Sequence, residues 1–239
     1  MDKIAVISDI HGNIPALESV LNDIKNKGIK RIFCLGDLAG KGPSSDIAID
    51  MIRENCEVVV KGNWDYFISE QNDREMLLYH RNKIGEDRIN YLKSLPIYKE
   101  FYLSGKLVRI CHASPFDVMF RVYKTAEDDM AIKLFQGTKE NSDEADIIGY
   151  GDIHDAYLKN FRGKTIFNVG SVGNPLDITE ASYAVIEGEY ENIEKSSYSI
   201  SLVRVPYDIE KSVEQARKSN MPDLEYYIKE LRTGEYRGK

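Results

Sequence analysis

Seven side chains that can bind or move charge stand at a few points of the chain, six of them in glycine-containing turns. They are Asp9 and His11 in VISDIHGN, Asp37 in CLGDLAG, Asn63 in VKGNWD, His112 in RICHAS, and Asp152 with His154 in GYGDIHDAY. Two of the four histidines therefore belong to one repeated Asp-Ile-His triplet. Carboxylate, imidazole and carboxamide together form a mixed nitrogen and oxygen donor set, which suits Mn, Fe or Zn. Cys34, Cys56 and Cys111 show no CxxC spacing, so they read as reduced thiols buried on strands and not as a structural zinc site.

The elements that must position these groups follow from the apolar pattern. KIAVIS (3–8) is a continuous apolar run and reads as a buried strand; 14–28 carries apolar residues at helical spacing and closes on Gly28. Residues 31–37 predict a second strand, 43–55 a second helix and 57–63 a third strand. This alternation implies a parallel sheet joined by right-handed crossovers, in which ligands sit outside the carboxyl ends of the strands. Those ends read SDIHGN, GDLAG and GNWD. Three polar strand ends in succession are not a core pattern.

Residues 64–96 turn charged and helical and stop at Pro96, which predicts a helical excursion over the sheet edge. A hairpin is expected over 98–103 and 106–114 and a further helical stretch near 124–136. Four final strands, YLKNFRG, KTIFNVGS, SYAVIEGE and SYSISLVRVPY, imply a second sheet packed on the first. DIEKSVEQARKS and DLEYYIKELR read as closing amphipathic helices with no functional signal. The expectation is an α/β fold of two packed mixed sheets flanked by helices, as a single domain over 1–239.

Composition bounds the partners. A net charge of -7 argues against broad nucleic-acid binding, which needs a basic footprint. It leaves room for a small anion held at metal ions, which invert the local field. No segment approaches the roughly 18 uninterrupted apolar residues of a membrane span. The opening MDKIAVIS reads as a strand and not a signal peptide, so a cytoplasmic location is expected. Oligomeric state is not set by the sequence.

In order, Asp9-x-His11, Gly36-Asp37, Gly62-Asn63, His112 and Gly-x-x-His ending at His154 resemble the calcineurin-like metallophosphoesterases, in particular their small single-domain bacterial members. The resemblance runs through about residue 188 and includes NVGSVGNP (168–175), similar to the family's glycine-rich turn. It implies two metal ions, Mn or Fe first, with Zn, Ni and Mg as further candidates. Asp37 would bridge them. Asp9, His11 and His154 would complete the first site, and Asn63 and His112 would hold the second. Such a pair clamps an in-line displacement at phosphorus, with Asp37, Asn63 and His112 as the implied catalytic groups.

Two departures from that pattern matter. The family usually reads Gly-Asn-His followed by an acid, whereas this chain reads GNWD. The Trp64 indole has one donor and no titrating proton, so it is no general acid; losing one typically costs about 10²- to 10⁴-fold on a poor leaving group. Phosphoanhydrides and aryl esters are thereby favoured, which matches the likeness of Gly-Asn-Trp-acid chains to diadenosine tetraphosphate hydrolases. Trp64 either stacks on a nucleobase or packs under the helical excursion. The second departure is Asp152, where the family normally has a histidine on the second metal. As a ligand it would make that site harder and one charge more negative; otherwise it only orders its loop.

Asp65 is expected beside Asn63 as an orienting acid with a catalytic role. Lys41 and Arg121 are the cations expected at phosphate, and His80, alone on a charged helix, is expected to be solvated. The leading function is hydrolysis of a small phosphorylated, nucleotide-derived substrate. Its rivals are a phosphodiesterase on cyclic nucleotides or aryl diesters, and a weakened centre that binds a phosphorylated ligand or regulates a protein without turnover.

Overall fold

The first strand is apolar at every position from Ile4 to Ile7, so both of its faces are buried there, and this sets the layering of the protein. The computed structural model describes residues 1–71 and 73–238. Its first half runs β1 (Asp2–Ile7), α1 (Ile14–Asn26), β2 (Arg31–Cys34), α2 (Ser45–Asn55), β3 (Val58–Val59), α3 (Asn63–Ser69) and α4 (Glu75–Ser94). The hairpin β4 (Tyr98–Leu103) and β5 (Lys106–Cys111) follows, then the short α5 (Asp128–Ala131) and β6 (Ile147–Tyr150). The chain continues through β7 (Tyr157–Phe161), β8 (Lys164–Asn168), β9 (Ala181–Gly188) and β10 (Ser199–Val205) to α6 (Ile209–Lys218) and α7 (Leu224–Thr233).

Two five-stranded mixed sheets result, ordered β10-β9-β1-β2-β3 and β4-β5-β6-β8-β7. Ile4 and Val6 of β1 meet Val108 and Ile110 of β5 and Phe167 of β8 in a core between the sheets. Ala5 and Ile7 point the other way and pack with Leu17, Val20, Ala48 and Ile52 of α1 and α2. Period-two alternation on a strand buried on both sides thus builds a four-layered sandwich. Asn13 caps α1, its side chain accepting from the N–H of Ala16.

Three expectations need correction. The last four strands do not form a sheet of their own: β7 and β8 complete the second sheet, while β9 pairs antiparallel with β1 and β10 with β9 in the first. The second sheet is instead founded on the hairpin and on β6, parallel to β5. The third strand is only Val58–Val59, and Asn63 already opens α3. The 64–96 stretch is not merely an excursion over the edge, since Ile68, Leu77, Ile84, Ile89 and Leu92 join the helix-side core of the first sheet. All three cysteines are free; Cys34 and Cys111 are buried on strands as expected, whereas Cys56 is half-buried at the C-terminal end of α2 and not on a strand. Among the described residues, no helix is long and apolar enough to cross a membrane.

Candidate metal centre

Five of the parallel strands end at the same edge, and each of those ends carries a donor. Asp9 and His11 follow β1, Asp37 follows β2, Asn63 follows β3, His112 follows β5, and Asp152 and His154 follow β6. Packing the two sheets face to face brings both sets of ends together, so groups from both halves of the chain meet in one buried cluster. Five of these seven residues, Asp9, His11, Asp37, Asp152 and His154, have φ between 49° and 67°. Non-glycine residues adopt that left-handed backbone at a cost of roughly 1–3 kcal/mol each, and such strain concentrates where side chains must be aimed. Gly62 is required for a related reason: a Cβ there would collide with the backbone and carboxylate of Asp37.

Three imidazoles are held in one tautomer. Nδ1 of His11 faces the carbonyl of Ala39 (3.3 Å), Nδ1 of His112 that of Leu35 (2.9 Å) and Nδ1 of His154 that of Asn174. A carbonyl only accepts, so each Nδ1 carries a proton and Nε2 is the nitrogen left facing the cluster, where an ion would take the place of any proton. Nε2 of His11 and Nε2 of His154 then face each other at 3.2 Å. At that distance the two nitrogens need a proton or a metal ion between them.

The carboxylates complete the picture. Oδ1 of Asp9 lies 3.0 Å from Nε2 of His154 and 3.7 Å from Nε2 of His11. Oδ2 of Asp37 is 3.6 Å from Nε2 of His11 and 3.4 Å from Nε2 of His112, while its Oδ1 accepts the N–H of Trp64 at 2.8 Å. One oxygen of Asp37 therefore stands between two imidazoles, as a shared ligand must. Asp9, His11 and His154 form one compact group able to hold a metal, and Asp9, Asp37 and His112 form another. Oδ1 of Asp9 and Nε2 of His112 are buried with no hydrogen-bond partner. Orphaned buried donors of this kind fit divalent metals. Burial lowers the basicity of His112, yet Asp37, Asp9 and Asp152 outweigh it and leave that imidazole raised to about 10. For Asp9, burial raises the pKa, but His154 and His112 more than offset it and hold the carboxyl well below its ordinary value.

The other predicted site residues lie around this cluster. Asp65 is fully buried and turned away from the cluster; it accepts the N–H groups of Asp37 (2.8 Å), Leu38 (2.9 Å) and Gly62 (3.0 Å). Its role is to shape the Asp37 turn, which corrects the catalytic role expected of it. Lys41 gives its ammonium to Oδ1 of Asn174 and, at 3.3 Å, to Glu230 of α7, and it lines the cavity above the cluster. Arg121 is clamped on Asp152. The second site is therefore not one charge more negative, because a guanidinium neutralises the aspartate. Trp64 packs over Gly40 and stands edge-on to His11 (5.8 Å) and His80 (6.3 Å), while still lining a cavity above the cluster.

His80 is not solvated. It is buried to 1% exposure, with Nδ1 3.0 Å from Oγ of Ser45, and burial pushes its pKa down to about 4. The helix it rides packs its inward face on the core, which the charged sequence of α4 concealed. Because the folded value lies below the ordinary 6.5, protonation favours the unfolded chain. The stabilisation is present above pH 6.5 and is lost as pH falls from there to about 4, by up to about 3 kcal/mol. Urea denaturation across that range is expected to show the loss, and His80→Gln to flatten it.

Sequence reasoning also missed one wall of the site. The cavity above the cluster measures 580 Å³ and is lined in part by Tyr226, Tyr227 and Glu230 of α7 and by Tyr236 and Arg237 beyond it. The helical period showed only which face of α7 would be buried, and nothing local marks what that face would be buried beside.

Comparison with known proteins agrees with this geometry. A model of the calcineurin-like phosphoesterase superfamily domain matches residues 2–191. An uncharacterized protein of Methanocaldococcus jannaschii is 35% identical over 241 residues, covering 92% of this chain and 94% of its own. The crystal structure of a metallophosphoesterase from Sphaerobacter thermophilus superposes with a TM-score of 0.75 at 23% identity, over 98% of this chain and 99% of that one. A hypothetical protein from Pyrococcus horikoshii OT3 superposes with a TM-score of 0.78 at 20% identity, over 100% of this chain and 99% of that one. Strand ends that converge on two buried donor groups with Asp9 in common and Asp37 between His11 and His112, in a sandwich of this topology and under a family match across most of the length, lead to one conclusion: the chain belongs to the calcineurin-like phosphoesterase superfamily.

Proposed function

We propose that the protein is a metal-dependent phosphoesterase acting on nucleotide-derived phosphoanhydrides or esters with a good leaving group. The observation that carries this reading is the cavity itself. Asp37, Asp152 and His154 lie on its lining together with the aromatic rings of Trp64, Tyr123, Tyr226 and Tyr236 and the cations Arg121, Lys124 and Arg237. A phosphoryl group suits the first set, and a base with further phosphates suits the others. Arg237 lies over the rings of both Tyr226 (5.3 Å) and Tyr236 (5.7 Å), so that wall is built for flat and anionic groups together.

Bound metals supply Lewis acidity toward phosphoryl oxygens and a nucleophile drawn from water. Asp9, His11 and His154 would hold one ion and His112 and Asn63 the other, with Asp37 shared. The nitrogen and oxygen donors favour Mn or Fe. The protein's own groups offer little to protonate a leaving oxygen: Trp64 has no titrating proton, and His80 is neutral near pH 7 and bonded to Ser45. Substrates whose leaving group departs as an anion are therefore expected to turn over best.

Assay with Mn of a dinucleoside polyphosphate against p-nitrophenyl phosphate tests the reading. Tyr226→Ala is expected to lower kcat/KM for the dinucleotide by about 5- to 150-fold, the worth of one stacked base, and to leave the aryl phosphate nearly untouched. Equal losses on both would sink the nucleotide assignment. The clamp of Arg121 on Asp152 favours a second reading, a centre that binds a phosphorylated ligand without turnover. Ligand binding without hydrolysis of any mono-, di- or anhydride substrate would establish it.

A further inference from the structure

Both oxygens of Asp152 are already engaged. Arg121 donates from Nε to Oδ2 (2.6 Å) and from Nη2 to Oδ1 (2.7 Å), and Nδ2 of Asn63 donates to the same Oδ1 at 2.5 Å. The aspartate side chain is 1% exposed, so this is a bidentate, charge-assisted pair with its acidic half desolvated. Yet Oδ1 of Asp152 also lies 3.7 Å from Nε2 of His112, the buried nitrogen without a partner, which is itself 3.4 Å from Asp37. Atoms bound to one ion at about 2.0–2.3 Å stand roughly 3–4 Å apart, so the carboxylate occupies a ligand's place while being held as an anchor.

Asn63 is oriented by the same contact. Its amide turns the NH₂ end to Asp152, which leaves the carbonyl oxygen as the end free for an ion. The aspartate thus aims one second-site donor and restrains itself from being another.

We propose that Arg121 is a resident competitor for the second metal: it holds Asp152, so that the second ion is bound by Asp37, His112 and Asn63 more weakly than the first. Full coordination requires Arg121 to release the carboxylate. The Arg121 side chain is 44% exposed and lines the cavity, so release leaves the guanidinium on the path of an anionic ligand. A fold that binds two ions with unequal affinity follows from one ion pair. This rests on the reading of these groups as a metal centre and is independent of the substrate.

Calorimetric titration of the metal-free full chain with Mn tests it, with thermal melting followed in parallel. The wild type is expected to fill in two separated steps. Arg121→Met is expected to tighten the second step by about 10- to 100-fold, the scale on which groups that hold a ligand alter metal affinity, and to leave the first unchanged. Arg121→Lys, a point charge without the fork, is expected to fall between. Because Arg121→Met strands a buried carboxylate, Asp152→His is measured alongside; it abolishes the pair, keeps a donor, and is expected to tighten the second step too. Two equal steps in the wild type, or a second step unmoved by both variants, overturns the proposal alone. No metal uptake by the wild type overturns the metal-centre reading along with it.

Discussion

Asp37→Asn is expected to weaken metal binding by more than about 100-fold, beyond the 10- to 100-fold typical of groups that only support a ligand. The reason is the division of labour between its two oxygens. Oδ1 accepts the N–H of Trp64 at 2.8 Å, and Oδ2 lies between the Nε2 atoms of His11 and His112 at 3.6 and 3.4 Å. An amide has one oxygen. If that oxygen keeps the Trp64 N–H, the NH₂ group points at two imidazole lone pairs and fills the place of the ions. If it turns round, two N–H donors meet at Trp64. The first arrangement blocks the ions with an amide that donates to the imidazoles, and the second loses the Trp64 bond and sets donor against donor. Manganese titration checks the first effect, and turnover of any substrate found for the wild type is expected to vanish with it. An Asn variant that retains both ions at wild-type affinity would refute the shared-ligand role.

Asp65→Ala is expected to cost at least about 3 kcal/mol of stability, because three buried N–H groups lose their acceptor at roughly 1–3 kcal/mol each. Those groups belong to Asp37, Leu38 and Gly62, at 2.8 to 3.0 Å, and all three lie in the two turns that meet beneath the metal cluster. Burial and the nearby Asp37 push the Asp65 carboxyl up to about 7, while the N–H groups it accepts from pull it back. The net effect of the residue is to fix the left-handed turn of Asp37, so the variant should also bind Mn less tightly. Asp65→Asn keeps one acceptor oxygen and is expected to lose less. Urea denaturation of both variants checks the order, and an Asp65→Ala protein as stable as the wild type would refute the role.

Much of the scaffold was legible because its signals are local. The apolar runs of β1 and β2, the helical spacing of α1 with its closing Gly28, and the Ser104-Gly105 hairpin turn each depend on neighbours a few residues away. The layering of the sheets is not local. Whether β9 pairs with β7 or returns to β1 depends on which hydrophobic face it covers, and the alternation in SYAVIEGE satisfies either partner. The same holds for α4, whose charged residues suggested a solvated His80 although its apolar stripe buries that imidazole against Ser45 and Trp64.

Sequence alone determined the donor types and placed Asp9, His11, Asp37 and Asn63 at the ends of parallel strands, because residue chemistry and local strand order survive any packing; that His112, Asp152 and His154 also end parallel strands came from the structure. It also determined what is missing, a titrating group at Trp64 and an imidazole at Asp152. Only the tertiary structure decided how those gaps are filled. Arg121 and Asp152 are 31 residues apart, and Lys41 and Glu230 are 189 apart. Which of these charges meet depends on the closure of long loops and the docking of α7, and no periodicity encodes that. The left-handed backbone at Asp9, His11, Asp37, Asp152 and His154 belongs with them. No residue type announces such a conformation, and it persists because both sheets pack around the turns and hold each side chain on the cluster.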